Sequence, residues 1–360
     1  MTYLSIQGLR GVAAMLVVMH HYNQVFGTLS EHGRAERPWL LTLGHLDILG
    51  GIGVSLFFVI SGFVIANQAL KDPPDSLQVY LAKRVSRIVP FYWVVTLAFV
   101  WAAGQPFDAQ TVKSLLFIAH SPDSNPVVAP GWTLEFEIRF YLMFGALVMS
   151  GFVSRGIGML LLAGILACTV IAGQATGSAA FYTIGDPVIL EFVAGMAVAH
   201  LVRLPQMLRF GWLCVILGFG FAYLSMAHAG SWTTMRTLWG LTSFSLVLGL
   251  VSLESVGRAL MRQRPFQVLG DASYSIYLVH MPLLLAVLAP PIWRYDLARM
   301  LEPHIGLMVL MTIAALVGIA CYYLIEKPVW QGSRRVLLSA IARRSRLRVA
   351  VSKLADPSRS

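Results

Sequence analysis

The stretch RGVAAMLVVMHHY, Arg10 to Tyr22, decides how this chain is read. Nine apolar or small residues separate Arg10 from His20. That run has the composition of a lipid-bound helix, yet it carries an arginine and two adjacent histidines. Ionisable groups at membrane depth are costly and face a protein interior or a wet cavity. The rest of the chain extends the apolar pattern. It is 57% hydrophobic and 12% charged, against about 45–50% and about 25% for soluble domains. The fold class read from this is all-α: a polytopic membrane helix bundle.

A spanning helix needs about 20 mostly apolar residues. Ten such segments follow one another, at about 4–26, 50–70, 86–103, 131–150, 157–173, 184–202, 211–229, 234–253, 270–290 and 304–325. The seventh and eighth are joined by a short turn at Gly230-Ser231. Residues 1–330 read as one integral membrane domain and 331–360 as a basic cytoplasmic tail. Arg10 interrupts the first apolar run and no small-residue cleavage site follows it. The first helix therefore reads as a retained signal anchor. Cys168, Cys214 and Cys321 lie in apolar runs and read as small core residues, without disulfide or metal spacing.

The net charge of +10 is explained by its distribution. With the N-terminus inside, nineteen of the 27 Lys and Arg residues fall in inner connections or the tail. Six, Arg34, Arg37, Lys113, Arg236, Arg294 and Arg299, fall outside. This is the positive-inside bias of a membrane protein, and it points away from nucleic acid as a partner. Both termini are placed in the cytoplasm. The tail, GSRRVLLSAIARRSRLRVAVSKL, suits a solvated flank or an amphipathic helix on anionic lipid.

Helix geometry sorts the charges. Arg10 and His21 are eleven residues apart, so they project within about 20° of each other and about 16 Å apart along the axis. His20 points elsewhere. Arg10 thus marks the inner end of a polar stripe and His21 its outer end. Snorkelling to headgroups is the alternative use of Arg10; an interfacial histidine bonded to a carbonyl is that of His21. The fourth segment, PGWTLEFEIRFYLMF, holds Glu135, Glu137 and Arg139. Glu135 and Arg139 are spaced for an intrahelical pair. Glu137 lacks a charged partner of its own and lies roughly 9–10 Å below the outer end of its helix, a depth His21 shares. A carboxylate beside an imidazole fixes its tautomer and raises its basicity, as acyl transfer to a hydroxyl requires. An interhelical salt bridge is the plainer use of Glu137. In YLAKRVSRIVPFYW, Arg84 and Arg87 share a helix face beside Lys83; such forks suit phosphates, and ordinary basic flanking is the alternative. His280 reads equally as a packing or a catalytic histidine. Ser61 lacks a nucleophile elbow and with Gly62 reads as helix packing. Asp186 and Glu191 have no partner legible in the sequence. No metal-ligand or phosphate-loop motif is found.

Five elements in order, LRGVAAMLVVMHHY, GVSLFFVISGFVI, YLAKRVSRIVPFYW, GWTLEFEIRFYLMF and GDASYSIYLVHMPLL, carry a resemblance over residues of about 4 to 330. The chain resembles the acyltransferase 3 family of integral membrane acyltransferases. GWTLEFE is similar to the exopolysaccharide and nodulation-factor acetyltransferase branch. The resemblance implies ten spanning helices and an acyl-CoA, acetyl-CoA above all, as co-substrate with no permanently bound cofactor. It implies as acceptor an extracytoplasmic glycan, lipid-linked saccharide or other hydroxyl. It further implies a place in the bacterial cytoplasmic (inner) membrane among its lipids. It assigns essential roles to Arg10 and His21, maps the donor-side arginine pair to Arg84 and Arg87, and maps the Trp and Glu of its W-[ST]-L-x-x-E element to Trp132 and Glu137. Arg139 departs from the pattern, where an apolar or aromatic residue is expected. The expected enzyme is an acyl-CoA-dependent O-acyltransferase: Arg10, His21 and Glu137 catalytic, Lys83, Arg84 and Arg87 on the donor, Trp132 on the acceptor. A secondary transporter of an acidic or glycan solute is the alternative use of the same charges; it requires repeat symmetry, which the sequence lacks.

The charge bias generates a topological prediction. A reporter joined after Ser360 is expected to read out in the cytoplasm. An extracytoplasmic signal means an odd number of spans.

Overall fold

The computed structural model describes residues 3–31, 38, 45, 48–121, 124–176, 184–228, 231–289, 292 and 302–355, with side chains as far as 344. Arg34, Arg37, Gly230, Arg294, Arg299 and Arg359, and the side chains of Arg346, Arg348 and Lys353, lie outside the described residues. Among those described there is no strand, only one isolated bridge between Ser121 and Ser124. The helices are α1 (Leu4–Glu31), α2 (Leu49–Ala69), α3 (Leu77–Ala102), α4 (Ala109–Leu115), α5 (Trp132–Phe144), α6 (Arg155–Thr176) and α7 (Leu190–Leu201). They continue with α8 (Gly211–Ala227), α9 (Trp232–Ser255), α10 (Arg264–Asp271), α11 (Ser273–Pro282), α12 (Pro303–Cys321) and α13 (Lys327–Ala355).

Each of the ten expected segments falls on a helix. By length and composition, α2, α3, α6, α9 and the stretch Pro303–Arg344 suffice to cross a membrane, and α10 with α11 forms a sixth if the pair, bent by 61°, is one span. The remaining segments are shorter or, like α1, carry charges. The outward faces of the apolar helices carry apolar side chains: Leu160 is 74% exposed, Phe219 65% and Leu324 76%. Such a surface suits lipid, and the protein is a multi-pass membrane protein. Cys168 lies on this exposed face, while Cys214 and Cys321 are half-buried, so only the latter two resemble the expected core residues. The division expected at residue 330 falls inside α13, which follows α12 through a five-residue π-turn, Tyr322–Glu326.

Helix α1 stands at the centre. Ile6, Leu9 and Ala13 belong to one buried apolar cluster, with α2, α3, α5, α7 and α9. Ala14, Val18, Tyr22 and Phe26 belong to a second, with α11 and α12. One helix therefore touches both halves of the interior, and its polar stripe runs along the seam.

The start of α5 sets the depth of the site. Here a 3₁₀ turn, Ala129–Gly131, precedes the helix. Tyr277 Oη donates to the Pro130 carbonyl at 3.1 Å, and a Cβ on Gly131 would lie 2.7 Å from Tyr92 Oη. Tyr92 is ten residues from the end of α3, so α5 begins about 15 Å below that end. Irregular backbone at such depth must be satisfied by protein. Glu135 does this: it accepts the N–H groups of Ala119 and His120, both at 2.9 Å, and an Arg139 N–H at 3.1 Å. The expected Glu135–Arg139 pair thus forms, and its work is structural.

Close helix crossings fix the frame. Gly62 of α2 and Gly195 of α7 each lie against the other helix's backbone. A Cβ on Gly195 would fall on the Val59 carbonyl and 2.6 Å from the Phe63 nitrogen. Gly195→Ala is therefore expected to lower unfolding stability by about 1–3 kcal/mol or more, read as a lowered thermal midpoint in detergent. Gly164→Ala, where nothing lies within 4 Å, is expected to leave that midpoint unchanged or raised.

Candidate functional site

Five helices bring polar side chains, most of them charged or phenolic, to one cavity of about 140 Å³. Helix α1 supplies Arg10 and α2 supplies Ser61. Helix α3 supplies Arg84 and Arg87, three residues apart and so on one face. Helix α5 supplies Glu137 and Tyr141, and α11 adds Tyr274 and Tyr277. Three arginines against one carboxylate give the wall an excess of positive charge, which suits an anionic ligand.

Hydrogen bonds fix most of these groups. Glu137 Oε1 accepts from Ser61 Oγ at 2.8 Å and from Tyr141 Oη. Arg84 donates to Gln68 and lies 5.9 Å from the Tyr80 ring centre and 5.8 Å from that of Tyr141. Its Nε is buried without a partner, a donor left over by the protein. Arg87 is paired with Glu326 and lies between the rings of Tyr274 (5.7 Å) and Trp330 (5.1 Å).

The histidines form a separate group. His21 Nδ1 and His280 Nε2 are 3.0 Å apart, and the rings stack at 5.1 Å. His280 Nδ1 lies 3.2 Å from the Ile276 carbonyl, which can only accept, so that nitrogen carries the proton. His280 Nε2 is then an acceptor, and His21 Nδ1–H donates to it. The lone pair of His21 is left on Nε2, the form a general base needs. Tyr22 Oη donates to the His280 carbonyl at 3.1 Å and braces the same turn. His20 turns away, with Gln24 Nε2 3.1 Å from its Nε2 and a Cβ on Gly50 meeting its ring.

The expected His21–Glu137 pair is therefore not formed. The deep start of α5 is the reason: Glu137 lies inward of the Tyr92 level and joins the arginines, while His21 lies outward beside His280. Tyr277 borders both groups. It lines the cavity, packs at 5.4 Å on Phe57 and lies 6.1 Å from the His280 ring. Lys83, expected with the donor-side arginines, is instead ion-paired with Asp75 at 2.7 Å and does not line the cavity. Trp132 is half-buried, packed on His120 at 5.6 Å and Phe136 at 5.7 Å; it too is off the cavity wall. Ser61 does more than pack, since its hydroxyl bonds Glu137. Asp186 and Glu191 do have partners: Arg236 at 2.9 Å and the Ser55 hydroxyl at 2.7 Å.

Sequence reasoning missed the phenols and Glu326. The i, i+4 spacing of Glu137 and Tyr141 was a usable signal. Tyr274, Tyr277 and Glu326 had none, because their partners lie far along the chain. Among the described residues no three His, Cys, Asp or Glu side chains are grouped to hold a metal.

Comparison with known proteins adds an independent line. A family model described as an acyltransferase domain matches residues 3–327. The exopolysaccharide production protein ExoZ of Rhizobium meliloti is 34% identical over 310 residues, 81% of this chain and 93% of that protein. The acyltransferase MdmB of Streptomyces mycarofaciens is 30% identical over 39% of this chain and 38% of its own length. The peptidoglycan O-acetyltransferase OatA of Listeria monocytogenes is 24% identical over 81% of this chain, a match that spans 51% of that longer protein. No solved structure matches.

The two histidines are separable by mutation. His21→Ala is expected to lower acyl transfer by about 10²–10⁴-fold, the usual worth of a general base, and His20→Ala by much less. Transfer of radiolabelled acyl groups in membranes carrying each variant measures this. An inactive His20→Ala beside an active His21→Ala contradicts the tautomer argument.

Proposed function

Because the chain belongs to the acyltransferase 3 family of membrane acyltransferases, we propose that it is an O-acyltransferase drawing on cytoplasmic acyl-CoA. The acyl group, acetyl in the simplest case, passes to a hydroxyl of an extracytoplasmic glycan. The names of the relatives from Rhizobium and Listeria, an exopolysaccharide production protein and a peptidoglycan O-acetyltransferase, support a glycan acceptor. The observation that carries the donor side is the cavity with three arginines, Arg10, Arg84 and Arg87. Two of these, Arg84 and Arg87, are among the basic residues that the charge bias assigns to the cytoplasmic side.

The division of labour follows from depth. Donor phosphates meet Arg84 and Arg87, whose forked guanidinium groups suit phosphate oxygens, with Arg10 further in. Glu137, Ser61 and Tyr141 line the same cavity and keep it from being wholly cationic. The slender arm of the donor extends past Tyr277 towards the histidine pair. His21 Nε2 takes the proton of the acceptor hydroxyl as its oxygen attacks the thioester carbonyl. The C–S bond breaks, and the proton passes from His21 to the departing thiolate. His280 holds His21 in the required tautomer, the part first expected of Glu137. Trp132, beside His120, is a candidate wall for the acceptor on the far side.

Two measurements test this reading. Arg84→Ala is expected to weaken acetyl-CoA binding to the purified protein by about 1.5–3 kcal/mol, the range for a bond to a charged group. Mass spectrometry of surface glycans from cells with and without the protein is expected to reveal an acyl increment only in its presence. A protein that moves a glycan across the membrane unmodified and releases no CoA refutes the proposal.

A further inference from the structure

Glu326 is a buried acid that no step of acyl transfer uses. It ends the π-turn between α12 and α13 and is 0% exposed. Both of its oxygens are occupied. Arg87 donates to Oε1, and Ser275 Oγ donates to Oε2. Three separate elements therefore meet at one carboxylate: α3, α11 and the π-turn that leads into α13. Trp330, one turn further on, lies against the Arg87 guanidinium, and Ser333 Oγ reaches the Ser86 carbonyl at 3.4 Å. Glu326 and Trp330 thus hold Arg87, while the same side chain lines the cavity.

A free arginine loses rotamer freedom when it grips a phosphate, whereas one already held has lost it on folding. We propose that Glu326 is the positioning residue for Arg87, setting its guanidinium towards the cavity so that it meets a donor phosphate in place. The last helix of the chain thereby becomes part of donor recognition. This inference rests on the acyl-CoA reading given above.

Two physical effects oppose each other here, and their sign decides the matter. A carboxylate beside a cation reduces its pull on an anion. If that effect ruled, Glu326→Gln would tighten donor binding. If positioning rules, the same change weakens it.

The test uses the full-length protein in nanodiscs and measures Kd for two donors. Acetyl-CoA carries the phosphates; acetyl-pantetheine has the same arm and thioester without them. Glu326→Gln is expected to raise Kd for acetyl-CoA about tenfold, the worth of one bond to a charged group, and to leave that for acetyl-pantetheine unchanged. Glu326→Asp, which keeps the charge, is expected to recover part of the loss. Should Glu326→Gln fold poorly, Trp330→Leu leaves the ion pair in place and is expected to give a smaller loss confined to acetyl-CoA. An unchanged or lowered Kd for acetyl-CoA overturns the inference, and so does an equal change for both donors. Wild-type protein that binds both donors equally overturns the acyl-CoA reading itself, and this inference with it.

Discussion

A carboxylate buried in a membrane protein must be answered at once, because its desolvation cost is repaid only by close partners. Two acid–arginine pairs in this protein obey that constraint, and much of the architecture hangs on them. In Glu135–Arg139 and Glu326–Arg87 the acid is 1% and 0% exposed and the arginine 24% in each. Neither acid stops at its arginine. Glu135 also takes two backbone N–H groups where the chain turns into the bundle. Glu326 also takes the Ser275 hydroxyl. One pair fixes where α5 begins, and the other fixes where the last helix lies.

From the first pair follows the layout of the site. A helix that starts inside the bundle carries Glu137 down to the arginines. The histidines are left on the outward side to satisfy one another. The result is two polar centres at different depths, joined by Tyr277, in place of one. Such a separation suits a reaction whose donor and acceptor come from opposite faces of a membrane. In the acyl-CoA reading proposed above, the charged end of the donor and the reacting carbonyl lie at opposite ends of a long arm.

The apolar frame serves the same end. Close crossings at Gly62 and Gly195 pack α2 on α7 through backbone contact. Lipid offers helices no hydrophobic reason to associate, so tight packing of small residues has to supply it. Helix α1, shared by both apolar clusters, gains rigidity from each. Its arginine and its two histidines therefore keep fixed directions over three turns.

Much of this was legible in the sequence. The apolar segments determined an all-helical membrane bundle, because each segment's length and composition are local properties. The 3.6-residue period separated His20 from His21 and put Arg84 and Arg87 on one face, for the same reason. The i, i+4 spacing gave the Glu135–Arg139 pair. Tertiary structure alone decided who meets whom across helices. His21 meets His280 across 259 residues, and Arg87 meets Glu326 across 239. Glu137 turned out to face Ser61 and Tyr141. Helix periodicity fixes the direction of a side chain around its own axis. It says nothing of how far one helix is shifted along another, and the depth at which α5 starts is set by the buried turn that Glu135 satisfies.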